Sequence, residues 1–277
     1  MSLGRVLLFS LTIAVFLLAG FALWGTPPPL WVPLSLGGIY LGVVVAGTLN
    51  LRWEMYGDAI CSVSGAGQRI ALTFDDGPDP ESTPLVLEKL RAVGAHATFF
   101  VVGKKVERHP AIVKAIVEGG HSLGVHSYFH HRFYAFLSPE LVRQDIERTR
   151  DVVEKATGIR PLWFRPPIGQ MSPRTVAGAK GAHALVVGWS VRARDGYRRA
   201  LHDRCWARVE KGLKPGAIVL LHDAWENSDS KLIQEIPQDP SQKAPMGVQI
   251  LDKILEGCKK RKLQVVVLEE LVSGSRS

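Results

Sequence analysis

Two adjacent carboxylates, Asp75 and Asp76, stand at the end of an apolar run, and Gly77-Pro78 turns the chain away directly behind them. Two ionised carboxylates side by side repel each other. A bound cation separates their tasks: one becomes a ligand, and the other stays free to take a proton. The pair therefore points to metal-assisted hydrolysis. Alone, Asp-Asp-Gly-Pro is equally well a surface turn, because all of these residue types favour turns. The downstream residues decide between the two.

His126 and His130 are four apart. On a helical turn that spacing places both imidazoles on one side, where they can share an ion. An isolated pair of this kind is more often a solvated helix face, and it gains weight only beside the Asp pair. Further on come Phe164-Arg165-Pro166-Pro167, then Trp189-Ser190-Val191 with Asp195 beyond it, then Leu220-Leu221-His222-Asp223. With these motifs in this order the chain resembles the polysaccharide deacetylase family, also called carbohydrate esterase family 4 or the NodB-homology domain. The resemblance runs from about residue 68 to about residue 270.

The resemblance implies a role for each motif. Asp76, His126 and His130 would hold a divalent metal, with zinc expected, although these ligand types also suit other first-row ions. Asp75 would be the general base. Arg165 would hold Asp75 in place and ionised, which a purely structural salt bridge would also do. His222 would be the general acid, charged through a nearby carboxylate. Asp195 is the candidate for that carboxylate, and whether it supports His222, Arg165 or both stays open. Here the chain departs from the family pattern, with Arg192 at an upstream Asp-like position and Gly196 after Asp195. A backbone N–H just after Arg-Pro-Pro would face the oxyanion. That residue is usually Tyr in the family and is Ile168 here, so a backbone donor remains and a side-chain contribution is lost. Trp189 is placed on the site floor. Trp225 is a candidate for stacking on a sugar ring, and Asp223 for capping local backbone. His96, His109, His121, His183 and His202 carry no expected role.

The elements that must position these residues follow from hydrophobic periodicity. Strands are expected over Ile70–Asp75, Thr98–Gly103, Ser122–His126, Leu162–Arg165, His183–Val191, Ala217–His222 and Gln264–Glu269. Helices are expected over Thr83–Val93, Pro110–Glu118, Pro139–Ala156, Pro173–Lys180, Leu201–Lys211 and Gly247–Lys260. Such β-α alternation means a mostly parallel sheet. The resemblance makes it a distorted (β/α)7 barrel of about seven strands, an incomplete relative of the eight-stranded form. In such folds chemistry sits at the carboxyl ends of strands, where Asp75, Asp76, His126, Arg165, Asp195 and His222 all fall.

Residues 1–52 differ from the rest. No Lys, Arg, Asp or Glu lies between Arg5 and Arg52. Two apolar runs, about 6–24 and 30–51, are divided by Pro27-Pro28-Pro29 and read as a transmembrane helical hairpin. A cleaved signal peptide, an interfacial second run, or a second run buried in the domain are the alternatives. Residues 53–67 form a connector and 68–272 the catalytic domain. Arg5 and Arg52 flank the hairpin and the turn is uncharged, so the positive-inside bias places the domain in the cytoplasm. Most members of the family act outside the cell, which pulls the other way. Cys61, Cys205 and Cys258 show no disulfide or thiolate-zinc spacing.

The net charge is +8 and the pI about 9.5. Nucleic acid is not expected, since no recognition motif accompanies the charge. An anionic membrane surface or glycan fits better, and no protein partner is expected. Arg192, Arg194, Arg198 and Arg199, with Lys104 and Lys105, would gather on the mouth rim, either to meet an anionic group beside the sugar or as plain solvated surface. The expected reaction is removal of N-acetyl or a similar small acyl group from an amino sugar, in a cell-envelope glycan or its lipid-linked precursor. O-deacetylation of a glycan and a non-catalytic, membrane-anchored glycan-binding module are the alternatives. Retention of Asp75, Arg165 and His222 speaks against the module. No Gly-x-Ser-x-Gly elbow supports a serine hydrolase.

Overall fold

The computed structural model describes residues 1–25, 27–196, 200–225 and 244–274. Two helices open the chain, α1 (Leu3–Trp24) and α2 (Trp31–Leu49). They pack against each other, and both are long and apolar enough to cross a bilayer. A β/α domain follows. Its strands are β1 (Arg69–Asp75), β2 (Thr98–Val101), β3 (Ser122–Val125), β4 (Trp163–Phe164), β5 (Leu185–Val186), β6 (Val191–Arg192), β7 (Ile218–His222) and β8 (Gln264–Val265). The principal helices between them are α3 (Thr83–Ala92), α4 (Gly103–Arg108), α5 (Pro110–Glu118), α6 (Pro139–Thr157), α7 (Pro173–Gly181) and α8 (His202–Gly212).

The strands pair in the order β5-β4-β3-β2-β1-β7-β6, all parallel, with β8 beside the start of β1. The incomplete barrel of parallel strands is thus present, with eight strands among the described residues in place of about seven. The extra strand arises because the expected single strand over His183–Val191 divides. Its first half pairs with β4 and its second half with β7, at opposite edges of the sheet. The short link between β5 and β6 carries the chain across the gap, so the curled sheet is closed by covalent chain.

Other boundaries also move. The run Gln264–Glu269 ends as a strand at Val265, and Leu268–Ser273 is helix with Glu269 and Glu270 in its first turn, where acidic groups complement the helix dipole. The expected strand over 98–103 stops at Val101. Helix α4, which periodicity missed, starts at Gly103, whose N–H donates to the Ser127 carbonyl. The helix expected over Gly247–Lys260 divides at Ile250 into Met246–Gln249 and Leu251–Lys260. Ser138 and Ser172 cap α6 and α7, accepting from Leu141 N–H and Thr175 N–H, with Pro next in line in each. All three cysteines are free.

Successive strand side chains point to opposite faces. On β1, Ile70, Leu72 and Phe74 join the core shared with the surrounding helices, while Ala71 belongs to a separate cluster with Phe100, Trp163, Val187 and Ile218. On β7, Val219 and Leu221 take the helix side, and Ile218 takes the other. The inner face is therefore apolar near the strand starts. Continuing the alternation to the strand ends places Asp75, Arg165 and His222 on that same inner face.

Candidate active site

The register supports that placement directly, since Asp75 and His222 are opposed partners on adjacent strands. Arg165 follows β4, is fully buried, and donates through Nη1 to Asp75 Oδ1 at 2.7 Å and to Thr73 Oγ1 at 2.8 Å. Its Nη2 donates to the Gly188 carbonyl at 2.8 Å, and its guanidinium lies over the Phe100 ring. Asp195 is also fully buried. It accepts from the His222 backbone N–H at 2.8 Å and from the imidazole Nδ1–H at 3.0 Å. The choice left open by sequence thus falls cleanly: Arg165 serves Asp75, and Asp195 serves His222. Gly196 is part of this arrangement, because a Cβ there would stand 3.1 Å from the His222 ring.

Simple alternation cannot bring Asp76 to the same side as Asp75. The backbone does it instead. Asp76 has φ 76°, in the left-handed region, and its carboxylate lines the same cavity as that of Asp75. The histidine pair needs a similar correction. Residues 126–130 are not a helical turn; His126 continues β3, Ser127 (φ 69°) and His130 (φ 52°) reverse the chain, and Ser127 Oγ accepts from His130 N–H. Convergence comes from this irregular loop and not from i,i+4 helix geometry. Ile168, a β-branched residue, also sits at φ 60°. Such conformations are costly for non-glycine residues and gather at functional sites.

Candidate ligand atoms of Asp76, His126 and His130 all lie within 4.8 Å of one another. His126 Nε2 is 3.5 Å and His130 Nε2 3.2 Å from Asp76 Oδ1. His126 Nδ1–H donates to the Arg165 carbonyl at 2.8 Å, leaving the Nε2 lone pair aimed at the carboxylate. Burial, aided by the neighbouring His130, pushes the His126 pKa down to about 3, so the ring is neutral. A neutral, oriented His126 imidazole with a second imidazole and a carboxylate beside it fits a first-row divalent cation.

Burial pushes the Asp75 pKa up, and Arg165 pulls against it. For His222, burial opposes the charge, but the Asp195 carboxylate, with Asp76 and Asp75 adding to it, lifts the pKa to about 9. The site thus sets a buried carboxylate opposite an imidazole whose charged form is favoured.

Asp75, Asp76, His126, His130 and His222 line a cavity of about 300 Å³ together with Ile168, Gly169, Trp189, Leu220, Arg132, Arg192 and Arg194. Arg132, in the loop after the histidine pair, was missed by sequence reading; its only signal was adjacency to His131. Several expected rim residues are elsewhere. Lys105 is buried and donates to the Trp225 carbonyl at 3.3 Å, and neither residue is among the described lining residues. Lys104 is exposed on α4 and is likewise not among them. Arg198 and Arg199 lie outside the described residues. Asp223 is not among the described lining residues and accepts from Thr83 Oγ1 at 2.6 Å.

Residues 63–186 match the family model described as polysaccharide deacetylase. A peptidoglycan-N-acetylglucosamine deacetylase of Bacillus cereus is 36% identical over 212 residues, covering 73% of this chain and 87% of that protein. The solved Bc1960 peptidoglycan N-acetylglucosamine deacetylase superposes with a TM-score of 0.65 at 29% identity, over 77% of this chain and 92% of that one. A family 4 acetyl xylan esterase of Clostridium thermocellum, solved with a cobalt ion, gives 0.61 at 33% identity, over 73% and 89%.

Proposed function

The chain belongs to the polysaccharide deacetylase family, and from that membership we propose that it is a metal-dependent hydrolase removing N-acetyl groups from an amino sugar of the cell envelope or of its lipid-linked precursor. The observation that carries this reading is the joining, in one cavity, of the Asp76–His126–His130 cluster with the Arg165-held Asp75 and the Asp195-held His222.

In this reading Asp76, His126 and His130 hold the metal, with zinc as the expected ion. When bound, the metal would polarise the acyl carbonyl and make water a stronger acid. Asp75 takes a proton from the attacking water as its oxygen adds to the acyl carbon. Arg165 keeps the Asp75 carboxylate oriented. The Ile168 backbone N–H is the donor toward the oxygen that gains charge. His222, with Nδ1 tied to Asp195, gives its Nε2 proton to the sugar nitrogen as the carbon–nitrogen bond breaks. Acetate and a free amine leave. Three groups assigned to chemistry by sequence reading, Asp75, His222 and Arg165, keep those roles here, and Asp195 becomes the residue that tunes His222. The helices α1 and α2 are read as spanning the membrane, with the domain on the cytoplasmic side where Arg5 and Arg52 lie.

The deciding experiment uses matched N-acetyl and O-acetyl sugars with the metal-loaded chain. Release of amine in step with acetate from the N-acetyl sugar supports the proposal. Acetate released from the O-acetyl sugar alone would replace it with an esterase.

The pH dependence has a definite sign. Asp75 must be ionised, so kcat/KM falls on the acid side as its carboxylate takes up a proton. His222 must be protonated, so activity is lost as pH rises through about 9. Asp195→Asn removes the charge that lifts His222, and the alkaline limb is expected to move to lower pH. A pH profile of kcat/KM for both proteins checks this, and an unmoved limb would show that Asp195 does not set it.

A further inference from the structure

The substrate can be specified beyond its acyl group, on the premise of the deacetylase reading above. The cavity wall carries Arg132, Arg192 and Arg194 within reach of the carboxylate–histidine cluster. A neutral acetylated sugar offers hydroxyl and amide groups, which need no such concentration of positive charge. Guanidinium groups match a phosphate, which accepts several of their donors at once. Arg192 is moreover held against the Trp189 ring, with 5.5 Å to its centroid, so part of its ordering precedes binding.

A second, independent feature is where the apolar hairpin meets the domain. The Met171 N–H donates to the Thr48 carbonyl of α2 at 2.9 Å. Leu51, just past α2, is buried, and a Cβ on the cavity-lining Gly169 would stand 2.9 Å from its Cδ1. The start of α1 is tied nearby, through Arg5 to Asp58 at 2.5 Å and Ser2 Oγ to the Glu54 carbonyl at 3.1 Å. The domain-side end of α2 therefore docks beside the loop that carries Ile168 and Gly169, and the start of α1 is tied to the connector that follows α2.

The Arg132 loop belongs to the same rim. Gln170 Nε2 donates to the Arg132 carbonyl at 2.9 Å, and Arg174 donates to the Phe136 carbonyl at 3.0 Å. Phe133 and Phe136 on this loop are 64% and 73% exposed, as side chains that enter a lipid interface would be. At the far end of the hairpin Trp24 and Trp31 are 91% and 68% exposed, in the place where aromatic residues mark a membrane boundary.

We infer that the substrate is an N-acylated amino sugar joined through phosphate to a membrane lipid, with Arg132, Arg192 and Arg194 receiving the phosphate at a cavity held beside the bilayer surface. The hairpin thereby does more than tether: it fixes the rim at the level from which the substrate is presented.

The test uses the full chain in lipid nanodiscs, loaded with zinc. Three probes are compared: N-acetylglucosamine phosphate on a polyisoprenyl chain in the same discs, soluble N-acetylglucosamine 1-phosphate, and a neutral N-acetylchitooligosaccharide. Hydrogen bonds to a charged group are worth about tenfold or more each, so kcat/KM for soluble sugar phosphate should exceed that for neutral sugar by at least about tenfold. Confinement to the bilayer should raise it again for the lipid-linked probe. In Arg192→Gln/Arg194→Gln, and in Arg132→Gln, the ratio of phosphorylated to neutral turnover should fall by about tenfold, with partial recovery in the Lys variants. A neutral sugar hydrolysed as well as the phosphorylated ones, or a ratio unchanged in the Gln variants, would overturn the inference while leaving the deacetylase reading intact. Soluble sugar phosphate matching the lipid-linked probe would overturn the membrane presentation. Failure to hydrolyse any of the three would overturn the deacetylase reading and this inference with it.

Discussion

His126→Ala is expected to empty the metal site and to abolish turnover. The imidazole is buried, neutral and locked by its bond to the Arg165 carbonyl, which aims Nε2 at Asp76. Alanine removes one of three candidate ligands, whose Nε2 lies 3.5 Å from Asp76 and 3.8 Å from Asp75. Losing an orienting partner alone typically lowers metal affinity by about 10–100-fold, and losing a ligand should cost more. Metal content after gel filtration, read beside acetate release, checks the expectation. A variant that keeps stoichiometric metal would remove His126 from the ligand set.

The second large effect separates proton transfer from metal binding. Asp75→Asn and His222→Ala should keep their metal yet lose turnover by roughly 100- to 10,000-fold, the scale of a general base or acid. Both variants also carry a stability cost. Asn at position 75 leaves the fully buried Arg165 without a counter-charge, and Ala at position 222 leaves the fully buried Asp195 without one; breaking such a pair costs about 3–5 kcal/mol. Both are therefore expected to lower the urea midpoint as well. Near-normal turnover in either variant, with metal retained, would cancel the role given to that residue.

The contrast between what was legible in the sequence and what was not has physical causes. Asp75, Arg165 and His222 end apolar runs, and a period of two carries strand-end residues to one face once the runs are parallel. That much needs only the pattern. Asp76 is different: its carboxylate reaches the same cavity through a left-handed backbone that no composition signals. The His126–His130 spacing suggested one face of a helical turn, whereas an irregular loop brings the two rings together. The division of His183–Val191 was hidden because both halves are apolar and only barrel closure sends them to opposite edges. Arg132 and the docking of Leu51 beside Gly169 depend on contacts between segments distant in sequence. Lys105 shows the converse error. It lies near a strand end, yet α4 turns it inward to the Trp225 carbonyl.

The central claim is that Asp76, His126 and His130 hold a catalytic metal for deacetylation of an amino sugar. Its most direct test is to strip the purified full chain with a chelator, measure acetate release from an N-acetylated amino-sugar substrate, and restore zinc stepwise. The account predicts no turnover in the stripped protein and a return of activity that saturates at one metal per chain, with no such return in His126→Ala. Full turnover in protein shown to be free of metal would contradict it.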